Sequence, residues 1–256
     1  MHILQLGLVV LYSLMLLYEV RIGLVEYAAF KLLTDTADRQ RLYRRWLIRG
    51  LLVFSGASVA GLAILGRSYA LVQLPDEFGA LSQRLRISLP DVHFSSGFYV
   101  GFGASIFVGA ILGGVIAARL ADRGRSITVG EIQALMPRNW PETGHTFLLS
   151  LNAGLGEELL FRLFIPLLLT LLSGNAIFAF LVSGAVFGLM HVYQGALGVL
   201  MTMFLGFVLS YIYLATGSVW IVVAIHAGID VLGLVVRPTV IRLLRSSQAD
   251  AVAELP

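Results

Sequence analysis

The chain has 256 residues, of which 58% are hydrophobic and only 13% charged, with a formal net charge of +3 and no cysteine. A water-soluble domain carries about 25% charged residues, so a soluble globular protein is excluded. The missing thiols exclude disulfide frameworks, thiolate metal sites, cysteine nucleophiles and lipidation on cysteine.

A membrane-spanning helix needs about 20 mostly apolar residues. By that rule seven helices are predicted, over residues 3–20, 46–65, 98–118, 147–172, 176–193, 197–215 and 219–236, and a further short one fits between 68 and 97. The first segment lacks a basic leader and a small-residue cleavage site, so it reads as a retained helix, with Glu19 and Arg21 marking a membrane edge. Basic residues gather between the first two helices (Lys31, Arg39, Arg41, Arg44, Arg45, Arg49), after the third (Arg119, Arg123, Arg125, Arg138) and after the last (Arg237, Arg242, Arg245). Such runs stay on the cytoplasmic side, which puts the N-terminus outside, the C-terminus inside and the uncharged turns at 173–175 and 216–218 outside. No run is interleaved with aromatics as a nucleic-acid module would be, so no nucleic-acid partner is expected. The fold class read from this pattern is all-α, a polytopic transmembrane helix bundle of about seven to eight helices. One membrane domain, 1–256, is expected, with three N-terminal helices in 1–120 and the helices that carry chemistry in 147–236. A prokaryotic plasma membrane suits the topology and the single lysine.

From 147 to 236 the only charged residues are Glu157, Glu158, Arg162 and Asp230, joined by two of the five histidines, His191 and His226. A charge at a helix centre costs about 2.5–3.5 kcal/mol to insert, so such residues are paired or functional by default. Residues four apart share a helix face. Glu158 with Arg162, His226 with Asp230 and Phe187 with His191 all have this spacing, which predicts an ion pair, a second polar pair and an aromatic wall beside an imidazole. Glu157 lies about 100° round from Glu158 and is free for another task. The run Asn152-Ala153-Gly154-Leu155-Gly156 is expected to loosen the helix beside Glu157. A carboxylate next to an imidazole can hold and deprotonate a water. Glu157 is therefore the candidate general base and His191 the group that orients the water, while His226 and Asp230 face the oxyanion formed at a peptide carbonyl. His2, His93 and His145 fall in or near predicted loops and read as solvated.

Three motifs occur in order on successive apolar helices: Glu157-Glu158-Leu-Leu-Phe-Arg162, Phe187-Gly-Leu-Met-His191 and His226-Ala-Gly-Ile-Asp230. They resemble the E-E-x-x-x-R, F-x-x-x-H and H-x-x-x-N/D motifs of the CPBP family, the group containing type II CAAX prenyl endopeptidases. The resemblance covers about the last 110 residues. It implies an intramembrane glutamate-type endopeptidase with Glu157, His191, His226 and Asp230 catalytic and Glu158, Arg162 and Phe187 supporting. The family's eukaryotic prenyl proteases have Asn where this chain has Asp230. Membrane lipid and a membrane-associated peptide or protein, including a prenylated CAAX-type chain, are the implied partners. No cofactor and no metal are expected, although two histidines and a glutamate also form a zinc ligand set. A zinc-dependent protease is thus an alternative, as is a catalytically silent protein of the same fold serving as immunity factor, scaffold or transporter.

Overall fold

The protein is represented by a computed structural model that describes residues 2–87, 112 and 132–244. Among the described residues every element is helical. Helix α1 spans His2–Leu32 and α2 spans Thr36–Ile64. A short α3, Gly79–Ile87, follows. Helix α4, Trp140–Glu158, leads through a widened π turn, Leu159–Phe164, into α5, Ile165–Ser173. Helices α6, Ala176–Met190, and α7, Gly195–Thr216, are joined by a single 3-10 turn at Val192–Gln194. Helix α8, Val219–Leu244, completes the bundle. The predicted span at 98–118, the basic run at 119–125 and His93 lie outside the described residues.

The helix boundaries follow from local chemistry. Asp35, Asn139 and Asn175 precede α2, α4 and α6, and each side chain accepts a hydrogen bond from backbone amides of the first turn. The turn at 173–175 serves two helices: Gly174 ends α5 at φ 67°, the left-handed conformation glycine tolerates, and Asn175 caps α6. Pro166 has no amide to donate and its ring presses on the carbonyl four residues back. The π turn over Leu159–Phe164 supplies the slack, and Ser183 Oγ of α6 satisfies the Phe161 carbonyl at 2.6 Å.

Among the described residues four helices, α1, α2, α7 with its preceding turn, and α8, are long and apolar enough to cross a membrane, and α6 is a shorter apolar helix. The protein is an integral membrane protein. Large side chains such as Ile3, Leu6, Val10, Leu14 and Leu17 of α1 are exposed at helical spacing, an apolar stripe of the kind a lipid-facing helix presents. The opposite face of α1 feeds the core, where the Tyr12 ring lies tilted 4.4 Å from that of Phe164 and Phe78 meets Phe180 at 4.9 Å. Helix α8 lies most extensively on α4, α6 on α7, and α2 on α4.

Three expectations change here. The run 152–156 remains regular α-helix, and the irregular turn comes afterwards. The glycines there serve close packing instead: a Cβ on Gly154 would stand 2.7 Å from the Ala227 Cβ of α8, and one on Gly156 2.8 Å from the Phe54 Cβ of α2. His145, placed in a loop by the sequence, sits on α4 with Nδ1 2.9 Å from the Pro141 carbonyl. The basic stretch 31–49 is also more than an exposed loop. Arg39 is fully buried, with Nε 3.1 Å from Glu142 and an Nη2 that donates to Tyr43 Oη and the carbonyls of Ala134 and Met136. This staple fixes the segment entering α4 against α2.

Candidate active site

Glu157 and Glu158 sit in the last turn of α4, Arg162 in the π turn, Phe187 and His191 at the end of α6, and His226 and Asp230 on α8. The close approach of α4 and α8 at Gly154 and Ala227 brings the two glutamates against His226. His191 is the residue on which α6 ends, at φ −96° and ψ 19°, and its backbone amide turns to the Gly188 carbonyl, which leaves the Phe187 carbonyl to its ring.

Glu158 is the junction of the cluster. Its Oε2 lies 3.0 Å from Arg162 Nε and its Oε1 2.6 Å from His226 Nδ1, with both carboxylate and guanidinium buried. A carboxylate can only accept, so Nδ1 of His226 carries the proton and Nε2 is turned the other way. His191 is set by the same logic: its Nδ1 donates to the Phe187 carbonyl at 2.9 Å, which leaves Nε2 as an acceptor. Both Nε2 atoms face Glu157 Oε2, at 3.8 Å for His191 and 3.9 Å for His226. Asp230 Oδ2 is 3.8 Å from His226 Nε2. Each of these gaps is too long for a direct hydrogen bond and short enough for one water to touch both ends. Glu157 Oε2 is buried without a hydrogen-bond partner.

Phe187 is the hub on the apolar side. Arg162 lies 4.1 Å from its ring centroid, a cation–π contact, while His191 and His226 meet its edges at 4.9 and 6.0 Å. One partnership read from spacing is altered, and one residue read as a membrane-edge marker gains a partner. His226 gives its direct hydrogen bond to Glu158 rather than to Asp230, which stands a water's width away. Glu19, read as a membrane-edge marker, is buried with Oε2 3.0 Å from Arg49 Nε, and Arg49 also meets Glu26 at 2.8 Å.

Glu157, His191, His226 and Asp230 all line one cavity of about 660 Å³, whose other walls are Tyr27 of α1, Trp46 and Arg49 of α2 and the face of α7 at Met201 and Leu205. Sequence reasoning missed this contribution from α1 and α2, for which the only available signal was a set of acidic and basic residues within apolar helices. Among the described residues no three histidine, aspartate or glutamate side chains are grouped as metal ligands.

A family model, type II CAAX prenyl endopeptidase Rce1-like, matches residues 139–232. That stretch runs from the cap of α4 into α8 and contains all seven candidate residues. No curated protein and no solved structure matches the chain.

Proposed function

We propose, from the match of residues 139–232 to the Rce1-like model of type II CAAX prenyl endopeptidases, that this integral membrane protein is a glutamate-type endopeptidase acting on a membrane-associated peptide. The family is a peptidase family. The observation that supports the reading best is the unpartnered Glu157 Oε2 facing the Nε2 atoms of two histidines.

A water between Glu157 and His191 gives its proton to the Glu157 carboxylate, and its oxygen attacks the scissile carbonyl carbon. The carbonyl π pair moves onto oxygen. His226 donates to that oxyanion from Nε2 as an imidazolium, its charge balanced by Glu158, and Asp230 orients it. When the tetrahedral intermediate collapses, the C–N bond breaks and the proton held by Glu157 passes to the leaving amine. Glu158 and Arg162 hold the geometry, and Phe187 walls the imidazoles from the apolar side. This chemistry draws on no metal.

At about 660 Å³ the cavity falls within the range of ligand pockets, about 300–1,000 Å³. Its aromatic and aliphatic walls suit a short apolar peptide segment, a prenylated CAAX-type end included. We place the cavity mouth and the C-terminus on the cytoplasmic side of a prokaryotic plasma membrane, because basic residues cluster at the start of α2 and at the end of α8. Lipid and the peptide are the partners in this reading, and one membrane domain carries the activity.

The test is cleavage of a panel of membrane-associated peptides, prenylated and plain, by wild type and Glu157→Gln protein in proteoliposomes. Wild type should cut, the variant should lose about 10²–10⁴-fold in rate, and a zinc chelator should leave wild-type activity unchanged. Loss of activity to the chelator with recovery on added zinc would replace the water mechanism by a zinc-dependent one. A wild type that cuts nothing would favour a catalytically silent protein of this fold.

A further inference from the structure

A smaller cavity of about 140 Å³ adjoins the large one, and the two share Glu157, His191, Tyr193 and Gly23. Its remaining walls come from α1 (Glu19, Val20, Leu24), Phe54, Phe161, Met190 and Val192. At about 30 Å³ per water such a space holds on the order of four molecules. A cavity this size stays dry when its walls are apolar, but this one has a carboxylate at Glu19, another at Glu157 and an imidazole at His191.

Glu19 is one of two carboxylates on Arg49. The Glu26 carboxylate meets Arg49 at 2.8 Å, and Trp46 Nε1 donates to it at 2.6 Å. Glu26 also meets Arg45 at 3.4 Å, so Glu19 and Glu26 together face the two guanidiniums of Arg45 and Arg49. The Glu19 side chain is 6% exposed, with Oε2 3.0 Å from Arg49 Nε, and the residue lines the small cavity. Buried carboxylate oxygens need polar company, and the small cavity is where Glu19 and the unpartnered Glu157 Oε2 both find room for it.

Each hydrolysis consumes one water, whose oxygen ends in the new carboxylate. A peptide filling the large cavity expels solvent from it, so the replacement must come from another side. We propose that the small cavity is the store of hydrolytic water and that Glu19, pinned by Arg49, is a positioning residue holding that water against Glu157. This rests on the peptidase reading above. It assigns a part in the reaction to α1, which lies wholly outside the family-matched residues.

Gly23 allows the store to be filled without disturbing the fold, because a Cβ there meets no atom within 4 Å and the residue lines the small cavity. The experiment measures kcat and KM of the full chain in proteoliposomes for Glu19→Gln, Gly23→Val and a control, Gly7→Val, on the exposed face of α1. Thermal unfolding is followed in parallel. Glu19→Gln should lose about 10²-fold in kcat with KM unchanged, and Gly23→Val, whose position borders both cavities, should lose kcat at saturating peptide by the same order whatever its KM, while Gly7→Val behaves as wild type. If Glu19→Gln lowers the melting temperature, Gly23→Val, which keeps the Glu19–Arg49 pair, decides the matter. Wild-type kcat in both variants, or a raised KM with kcat intact, overturns the water store and leaves the peptidase reading standing. A wild-type protein that cuts no peptide overturns the peptidase reading itself.

Discussion

Glu158 spends one carboxylate oxygen on Arg162 and the other on His226, so it is structurally the most committed residue of the cluster. With both charges of its ion pair buried, removing one partner strands the other, which costs about 3–5 kcal/mol, whereas replacing both with apolar groups of similar volume costs far less. Measured as unfolding in detergent micelles, Arg162→Met alone should therefore lower stability more than Glu158→Leu/Arg162→Met together, although the double variant also leaves His226 Nδ1 without its acceptor. Equal losses would mean that the pair contributes nothing as a pair. The i,i+4 spacing of Glu158 and Arg162 made their contact legible in the sequence. The contact with His226 was not, because it joins residues 68 positions apart and depends on how α4 and α8 cross.

At the scale of helices, two glycines and three π turns shape the site. The turns Leu51–Gly56, Leu159–Phe164 and Leu232–Val236 lie on α2, after α4 and on α8, and each contributes a residue to the cavities: Phe54, Phe161 and Gly233. Gly154→Ala would force its new methyl against the Ala227 Cβ and backbone nitrogen at 2.7 Å, moving α4 away from α8. The expected loss is about 1–3 kcal/mol, together with reduced activity as Glu157 and His226 separate. Gly144→Ala on the same helix meets open space and should leave stability level or slightly raised. Both effects are read from melting temperature in one detergent. The sequence shows glycine beside Glu157 but not its use. Glycine eases both helix loosening and close packing, and only the neighbouring helix decides between them.

For the whole molecule, apolar periodicity is enough to announce a bundle for lipid, and the exposed stripe along α1 agrees with it. Orientation is a separate matter, governed by the distribution of arginine. Because the chain has no cysteine, single-cysteine variants report on it directly. Arg44→Cys and Ser173→Cys replace exposed residues on α2 and at the end of α5. An impermeant maleimide should label Ser173→Cys on intact cells and Arg44→Cys only after lysis. The reverse pattern would invert the proposed topology and put the cavity mouth outside. The buried Arg39–Glu142 pair adds a caution about charge counting, since one arginine of the basic run is a staple between helices rather than an orienting charge.

By itself the sequence determined the solvent, the helical class and the identity of the residues able to do chemistry. Each follows from local properties: mean hydropathy, periodicity, and the cost of placing a charge among apolar side chains. The tertiary structure alone decided which of those residues share atoms. It gave Glu158 to His226, left Glu157 facing two imidazoles, buried Glu19 against Arg49 and closed the site with α1 and α2. The reason is geometric. Spacing along one helix fixes which side chains share its face, but contacts between helices depend on crossing and rotation, set here by packing at Gly154 and Gly156 and by the π turn before Pro166.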